Sequence, residues 1–338
     1  MRMSKQTITT IIGIIVLVII VALVVRGQGG DDSQTADDSG GQTASEELGQ
    51  DKVTLGIPPW PGARVKSHVV AKALEQQGYD TEIKELDPAP LYTALSNENI
   101  DVNVAGWLPT THQSYWDEHS DNLDIAGINV TETWLGLGVP SYTDESIQSI
   151  EDLQGESEFG ESVNYEITGI GDGAGITKNT KKALEQYGLK DQWSLKTSSS
   201  SAMLTAVQDS MSNEEPIIAT VWKPHSAFSL DQDIRQLEDP EGVYNDAEAT
   251  REFVSNNASD FATDEVLSSV KSDVLATVVY QGFEDDAPAA YKMFNNFRVP
   301  ASTQSDWIYQ LSVEERDPEQ IAEDYIDNNQ DMVDSWMP

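Results

Sequence analysis

The chain predicts an α/β fold of two lobes with a ligand cleft between them, preceded by one N-terminal transmembrane helix. Three observations carry this. An unbroken apolar run lies near the N-terminus. A strand–helix–strand–helix–strand order then occurs twice. The third strand of each copy ends in Trp-x-Pro.

Gln6–Val25 is 20 residues without a charge, mostly Ile and Val. As a helix it is roughly 30 Å long, the thickness of a bilayer core. Arg2 and Lys5 precede it, which places the N-terminus in the cytoplasm and the rest outside. A cleaved signal peptide is the alternative, but Val24-Val25-Arg26-Gly27 offers no small-residue cleavage site. Residues 1–26 are therefore expected to be an uncleaved anchor. Residues 27–50 are Gly, Ser, Thr, Gln and acids with no aromatic, the composition of a disordered acidic linker.

In the folded part, Lys72-Ala73-Leu74-Glu75-Gln76 recurs as Lys182-Ala183-Leu184-Glu185-Gln186. Each copy follows a short apolar strand (Val53–Ile57; Tyr165–Ile170) and a Pro- or Gly-rich loop. Each sits in a helix with apolar residues four apart: Val65, Val69, Ala73 and Ile176, Thr180, Leu184. Gly78 and Gly188 stop these helices. A second strand (Thr81–Leu86; Trp193–Lys196) and a second helix (Ala89–Ser96; Ala202–Ser212) lead to the third strand. That is the order of a parallel sheet with covering helices. Sites in such sheets lie at the carboxyl ends of the strands, so two lobes face to face share one cleft. The lobes are expected at 51–137 with 236–338, and at 138–235. Helices over Asp285–Phe294, Pro318–Asn328 and Asp331–Met337 are expected to pack back on the first lobe.

Composition excludes several classes. With 20 Lys+Arg against 58 Asp+Glu the formal charge is -38. A nucleic-acid binder needs a basic footprint, and so does docking on anionic lipid through a polybasic face. The acidity reads as adaptation to a salty, halophilic setting. The absence of Cys excludes disulfides, Fe–S clusters and thiol catalysis. Four scattered His argue against a zinc enzyme. No nucleophile, acid/base pair, metal set or cofactor motif is evident, so neither an enzyme nor a cofactor is expected.

Trp60, Trp107 and Trp222 sit at loop or strand-end positions. One such Trp is usually packing. Three at comparable ends of two lobes suit a cation that cannot donate hydrogen bonds, a quaternary ammonium above all. Gly171-Asp172-Gly173-Ala174-Gly175-Ile176 leads into a helix. It is either a tight turn or an anion nest, with the N–H groups of Gly175 and Ile176 gripping a carboxylate. His112 opens a helix at the inferred cleft and is a candidate donor to the same group. His225 is read as structural, and His68 and His119 as solvated.

Leu86-Asp87-Pro88-Ala89-Pro90-Leu91-Tyr92, Gly106-Trp107-Leu108-Pro109-Thr110-Thr111-His112, Gly173-Ala174-Gly175-Ile176 and Trp222-Lys223-Pro224-His225 together resemble the glycine betaine-binding proteins of ABC importers, the OpuAC-type domain family. The resemblance runs from about Val53 to the C-terminus. It implies a periplasmic-binding-protein-like fold (type II), each lobe a mixed sheet with covering helices. It also implies Trp60, Trp107 and Trp222 boxing a trimethylammonium group. His112 and the N–H groups of Gly175 and Ile176 would hold the carboxylate. The implied function is extracytoplasmic capture of glycine betaine, or of choline, carnitine or proline betaine, for delivery to a permease and its ATPase. A sensing ectodomain and an enzyme acting on a quaternary amine are the alternatives. The chain departs from the family at Val221, where Gly is usual, and at Ser226, where an aromatic is frequent. It also lacks the lipidated Cys of Gram-positive members, a role left to the apolar anchor.

Overall fold

The computed structural model describes residues 49–225 and 234–338. The expected anchor, most of the linker and Ser226 lie outside the described residues. Among the described residues no helix is long and apolar enough to cross a membrane.

The first sheet begins with β1 (Lys52–Ile57), buried along nearly its whole length, as a central parallel strand must be. Helix α1 (Pro61–Gln77) starts with Pro at its first position and ends at Gly78. Gly78 has φ 103°, and its N–H bonds back to Glu75 and Leu74. Then come β2 (Asp80–Glu85), α2 (Pro88–Ser96), β3 (Val102–Leu108), α3 (Gln113–His119) and β4 (Leu123–Val130). The chain crosses over in β5 (Trp134–Pro140). It builds the second sheet from β6 (Glu166–Ile170), β7 (Ser194–Ser198), β8 (Ala219–Lys223) and β9 (Ile234–Gln236). Helices α4 (Glu158–Ser162), α5 (Gly175–Gln186) and α6 (Ser200–Ser212) join these strands. The return runs through α7 (Ala247–Asn257) and α8 (Asp264–Ser269) to β10 (Val274–Tyr280). Helices α9 (Phe283–Asp286), α10 (Pro288–Asn296), α11 (Ala301–Ser312), α12 (Pro318–Asn328) and α13 (Gln330–Trp336) follow.

The two sheets have matching orders, β2-β1-β3-β10-β4 and β7-β6-β8-β5-β9. In each, four strands point the same way and the crossing strand is antiparallel to both its neighbours. Each lobe is thus a mixed sheet, and each receives one strand from chain arriving out of the other lobe. This strand exchange shifts the expected boundaries. Trp134 pairs with Lys223 and Gly136 with Val221, so all of β5 belongs to the second sheet and the crossing falls at 131–133, before position 137. On the return, Gln236 still pairs with Gly138, and the Asn245 side chain bridges the backbone N–H and C=O of Leu135. The second lobe therefore runs on to about Asn245. Alternating apolar residues cannot report which sheet a strand joins.

Two smaller differences have local causes. The helix expected over Asp285–Phe294 is broken at Ala287, because Pro288 disfavours helical backbone in the residue before it. Trp193 precedes β7, and its indole N–H is drawn to the Leu153 carbonyl at 2.9 Å. The C-terminal helices pack on α1. Lys72 reaches Glu319 at 2.9 Å and Glu323 at 3.3 Å on α12, and Gly62 lies under Gln304 and Ile308 of α11.

Lys66 on α1 is fully buried, and its Nζ has no hydrogen-bond partner among the described residues. Burial pushes its pKa down from 10.5 to about 7. Between those two values the unfolded chain holds a proton that the folded chain has lost, so stability rises with pH across that window. Lys66→Met should stabilise the protein by about 1–4 kcal/mol below pH 7, with a smaller gain as pH approaches 10. Urea unfolding at about pH 6 and 9 checks this. An equal gain at both would remove Lys66 as the cause.

Candidate ligand-binding site

Trp60 caps the N-terminus of α1. The Pro58-Pro59 turn holds its N–H against the Pro58 carbonyl at 2.9 Å. Trp107 lies near the end of β3, paired with Leu275 of β10. Trp222 lies near the end of β8, paired with Leu135 of β5. The Leu108–Pro109 and Lys223–Pro224 bonds after them are both cis. All three indoles are largely buried, at 9%, 5% and 6% exposure, so any group between them is stripped of water. The departure at Val221 is absorbed locally, since its side chain occupies the space over Gly138, where a Cβ would come within 2.6 Å of it. The His225 ring meets Trp222 edge-on at 4.4 Å.

His112 caps α3 and is locked to Trp107 in both directions. Its N–H donates to the Trp107 carbonyl at 2.9 Å, and the Trp107 N–H donates to its Nδ1 at 3.2 Å. The Tyr92 hydroxyl lies 3.1 Å from the same nitrogen. A backbone N–H can only donate, so Nδ1 is an acceptor and the ring proton sits on Nε2. Burial, with a smaller effect from the Lys178 charge, pushes the pKa down to about 3, so the ring is neutral at physiological pH. Nε2 is buried and has no partner among the described residues. Leaving such a donor unpaired costs about 1–3 kcal/mol, which an arriving acceptor recovers.

Opposite, α5 starts directly at the end of the loop after β6. Its first N–H groups have no intrahelical acceptor, and Ala174 offers no side-chain cap. Gly175 and Ile176 therefore present free donors at the positive end of the helix dipole. A Cβ on Gly175 would lie 2.0 Å from the Thr111 carbonyl oxygen of the first lobe, so only glycine lets the lobes approach this far. Beside this contact the Tyr115 hydroxyl donates to the Gly173 carbonyl at 2.8 Å. Lys178 reaches Ser114 at 3.0 Å and lies 3.8 Å above the Tyr115 ring.

Trp60, Trp107, Trp222, His112, Gly175 and Ile176 all line one cavity between the lobes, with Thr111, Leu135, Ile170 and Ala174 completing its wall. It has an aromatic end and an end of neutral or backbone donors. That division suits a small solute with one cationic and one anionic end. Tyr92, Tyr115 and Lys178 were not singled out by sequence. Tyr92 lies inside a motif quoted for the resemblance and Tyr115 follows His112 by three residues, so a helical register would have found the latter. His68 and His119, expected on solvated faces, are half-buried, and His119 bonds Ser96 at 3.1 Å. Within the serine run, Ser199 caps α6 by accepting from the Ala202 N–H.

Residues 51–328 match the family described as the substrate binding domain of ABC-type glycine betaine transport systems, OpuAC. Among curated proteins, a glycine betaine/carnitine transport binding protein of Listeria monocytogenes is 34% identical over 182 residues. That stretch is 54% of this chain and 52% of the relative, so the match spans about half the relative's length. Among solved structures, lactococcal OpuAC closed on glycine betaine is 28% identical with a TM-score of 0.71, covering 86% of this chain and 100% of that one. The glycine/betaine/L-proline-binding protein of Borrelia burgdorferi is 28% identical with a TM-score of 0.73, covering 85% and 97%. A choline-binding protein complexed with choline shares the fold, at 19% identity and a TM-score of 0.69, covering 85% and 91%.

The state of His112 is directly measurable. Its ring should stay neutral, with the proton on Nε2, from about pH 4 to 8. Nitrogen-15 NMR of histidine-labelled protein, with His112→Ala to assign the signal, reads both points. A ring titrating near 6.5 would contradict the buried acceptor geometry.

Proposed function

The chain belongs to the family of substrate-binding domains of ABC-type glycine betaine transport systems, whose members are binding components and not enzymes, and from that premise we propose that it captures glycine betaine. Trp60, Trp107 and Trp222 form the cage for the trimethylammonium group, each face contributing roughly 0.5–2 kcal/mol. The Nε2–H of His112 and the N–H groups of Gly175 and Ile176 hold the carboxylate. The observation that supports this most is the pairing, in one cavity, of three indoles with unpartnered donors. Choline needs the first end only, so the donor end favours a betaine. Capture closes the lobes about the crossing segments, and the closed form is delivered to a permease and its ATPase on the extracytoplasmic side. Residues 1–26 serve as the membrane anchor, and the acidic surface suits a cell that imports compatible solutes from brine.

Calorimetry in high salt against glycine betaine, proline betaine, carnitine, choline and proline tests the ligand. Trp107→Ala should cost about 2 kcal/mol for both glycine betaine and choline, whereas His112→Ala should weaken glycine betaine alone. Gly175→Ala should cost about 1–3 kcal/mol in binding with an unchanged melting temperature, because its Cβ obstructs closure and nothing else. Normal glycine betaine affinity in all three variants would place the site elsewhere.

The melting temperature should rise clearly between dilute buffer and molar salt as the charge of -38 is screened. A flat profile would sever the link to a saline habitat.

A further inference from the structure

Among the described residues Asp273 is the one acidic side chain that is buried, and its exposure is zero. No cation pairs with it there. Burying a carboxyl group without a counter-charge is unfavourable, so its retention calls for compensating contacts. Oδ1 accepts the N–H of Thr110 at 2.7 Å and Oδ2 accepts the N–H of Thr111 at 2.8 Å. Two successive peptide groups are thereby gripped in the loop that joins Trp107 to His112. The backbone carbonyl of Asp273 accepts from the Thr133 hydroxyl, in the segment where the chain first crosses between lobes. The Ser269 hydroxyl donates to Thr131 in that same segment at 2.6 Å. Asp273 immediately precedes β10, whose Leu275 pairs with Trp107 on one side and Val130 on the other.

We propose that Asp273 is a positioning residue for the carboxylate end of the site, fixing the Thr110–Thr111 loop that aims His112 and tying that loop to the crossing segment at Thr133. Resting on the reading of His112 as a carboxylate donor, it assigns a residue distant in sequence to the specificity for betaines over choline. The loop needs such a hold because its N–H groups lie outside any ladder, and Thr111 also forms the contact surface for Gly175. A carboxylate is suited to the task, since both oxygens accept while the carboxamide of an asparagine turns one acceptor into a donor facing an N–H.

The test is a double-mutant cycle on the full chain, titrated calorimetrically with glycine betaine and with choline. Asp273→Asn should lower glycine betaine affinity about 5- to 30-fold and choline affinity by less than about threefold. Combined with His112→Ala it should lose no more than about threefold beyond His112→Ala alone, because both changes disable the same donor. A merely structural role would weaken both ligands and add fully in the double variant, and that result overturns the proposal while leaving the His112 assignment standing. If His112→Ala does not alter the preference for glycine betaine over choline, the reading of the site fails and the proposal with it. Should Asp273→Asn not fold, Thr133→Val decides, since it leaves the carboxylate in place. A loss of about threefold confined to glycine betaine supports the coupling, and no selective loss overturns it.

Discussion

At Gly175 the start of α5 approaches the Thr111 carbonyl so closely that no side chain fits between them. The rest of the site depends on this contact. It brings the free N–H groups of one lobe beside the His112 loop of the other, at a cavity whose three indoles are nearly buried. A helix N-terminus in open solvent attracts an anion weakly, because water competes for the same donors. In a closed cavity the same donors act in low dielectric, where their interaction with a charge is far stronger. The contacts around it, Tyr115 to Gly173 and Lys178 to Ser114, also span the two lobes.

Neutrality inside the cavity is the second constraint. A charged imidazole would repel any cationic group entering the cavity, and an ionised acid there would repel an anionic one. The fold supplies a neutral His112 by burial, and it orients the ring with the Trp107 N–H, a donor that cannot change its role. Asp273, whose carboxyl burial pushes above the usual carboxylate range, is held on two backbone N–H groups of the loop that joins Trp107 to His112. Among the described residues the other acids stay outside the buried core, where salt screens them.

Strand exchange between the sheets serves this arrangement. Each lobe holds one strand contributed across the boundary, β5 in one and β10 in the other. Those strands pair directly with the strands that carry Trp222 and Trp107. The segments that cross between the lobes are therefore continuous, through hydrogen-bonded ladders, with the strands that carry Trp107 and Trp222.

Much of this was legible in the chain itself. The repeated Lys-Ala-Leu-Glu-Gln helices, Gly78 and Gly188 as helix stops, and the two Trp-x-Pro strand ends follow from local rules that act over a few residues. The six candidates, Trp60, Trp107, His112, Gly175, Ile176 and Trp222, each sit at a strand end or helix start, and all line one cavity. The lobe boundaries, the free Nε2 of His112 and the place of Asp273 were not legible. Sheet membership, burial and hydrogen bonds between residues such as Asp273 and Thr110 arise from packing of segments remote in sequence. Periodicity and spacing therefore determined which elements form and where their ends carry chemistry. Only the tertiary structure decided which ends face one another, because that depends on long-range pairing and on the absence of a single Cβ at Gly175.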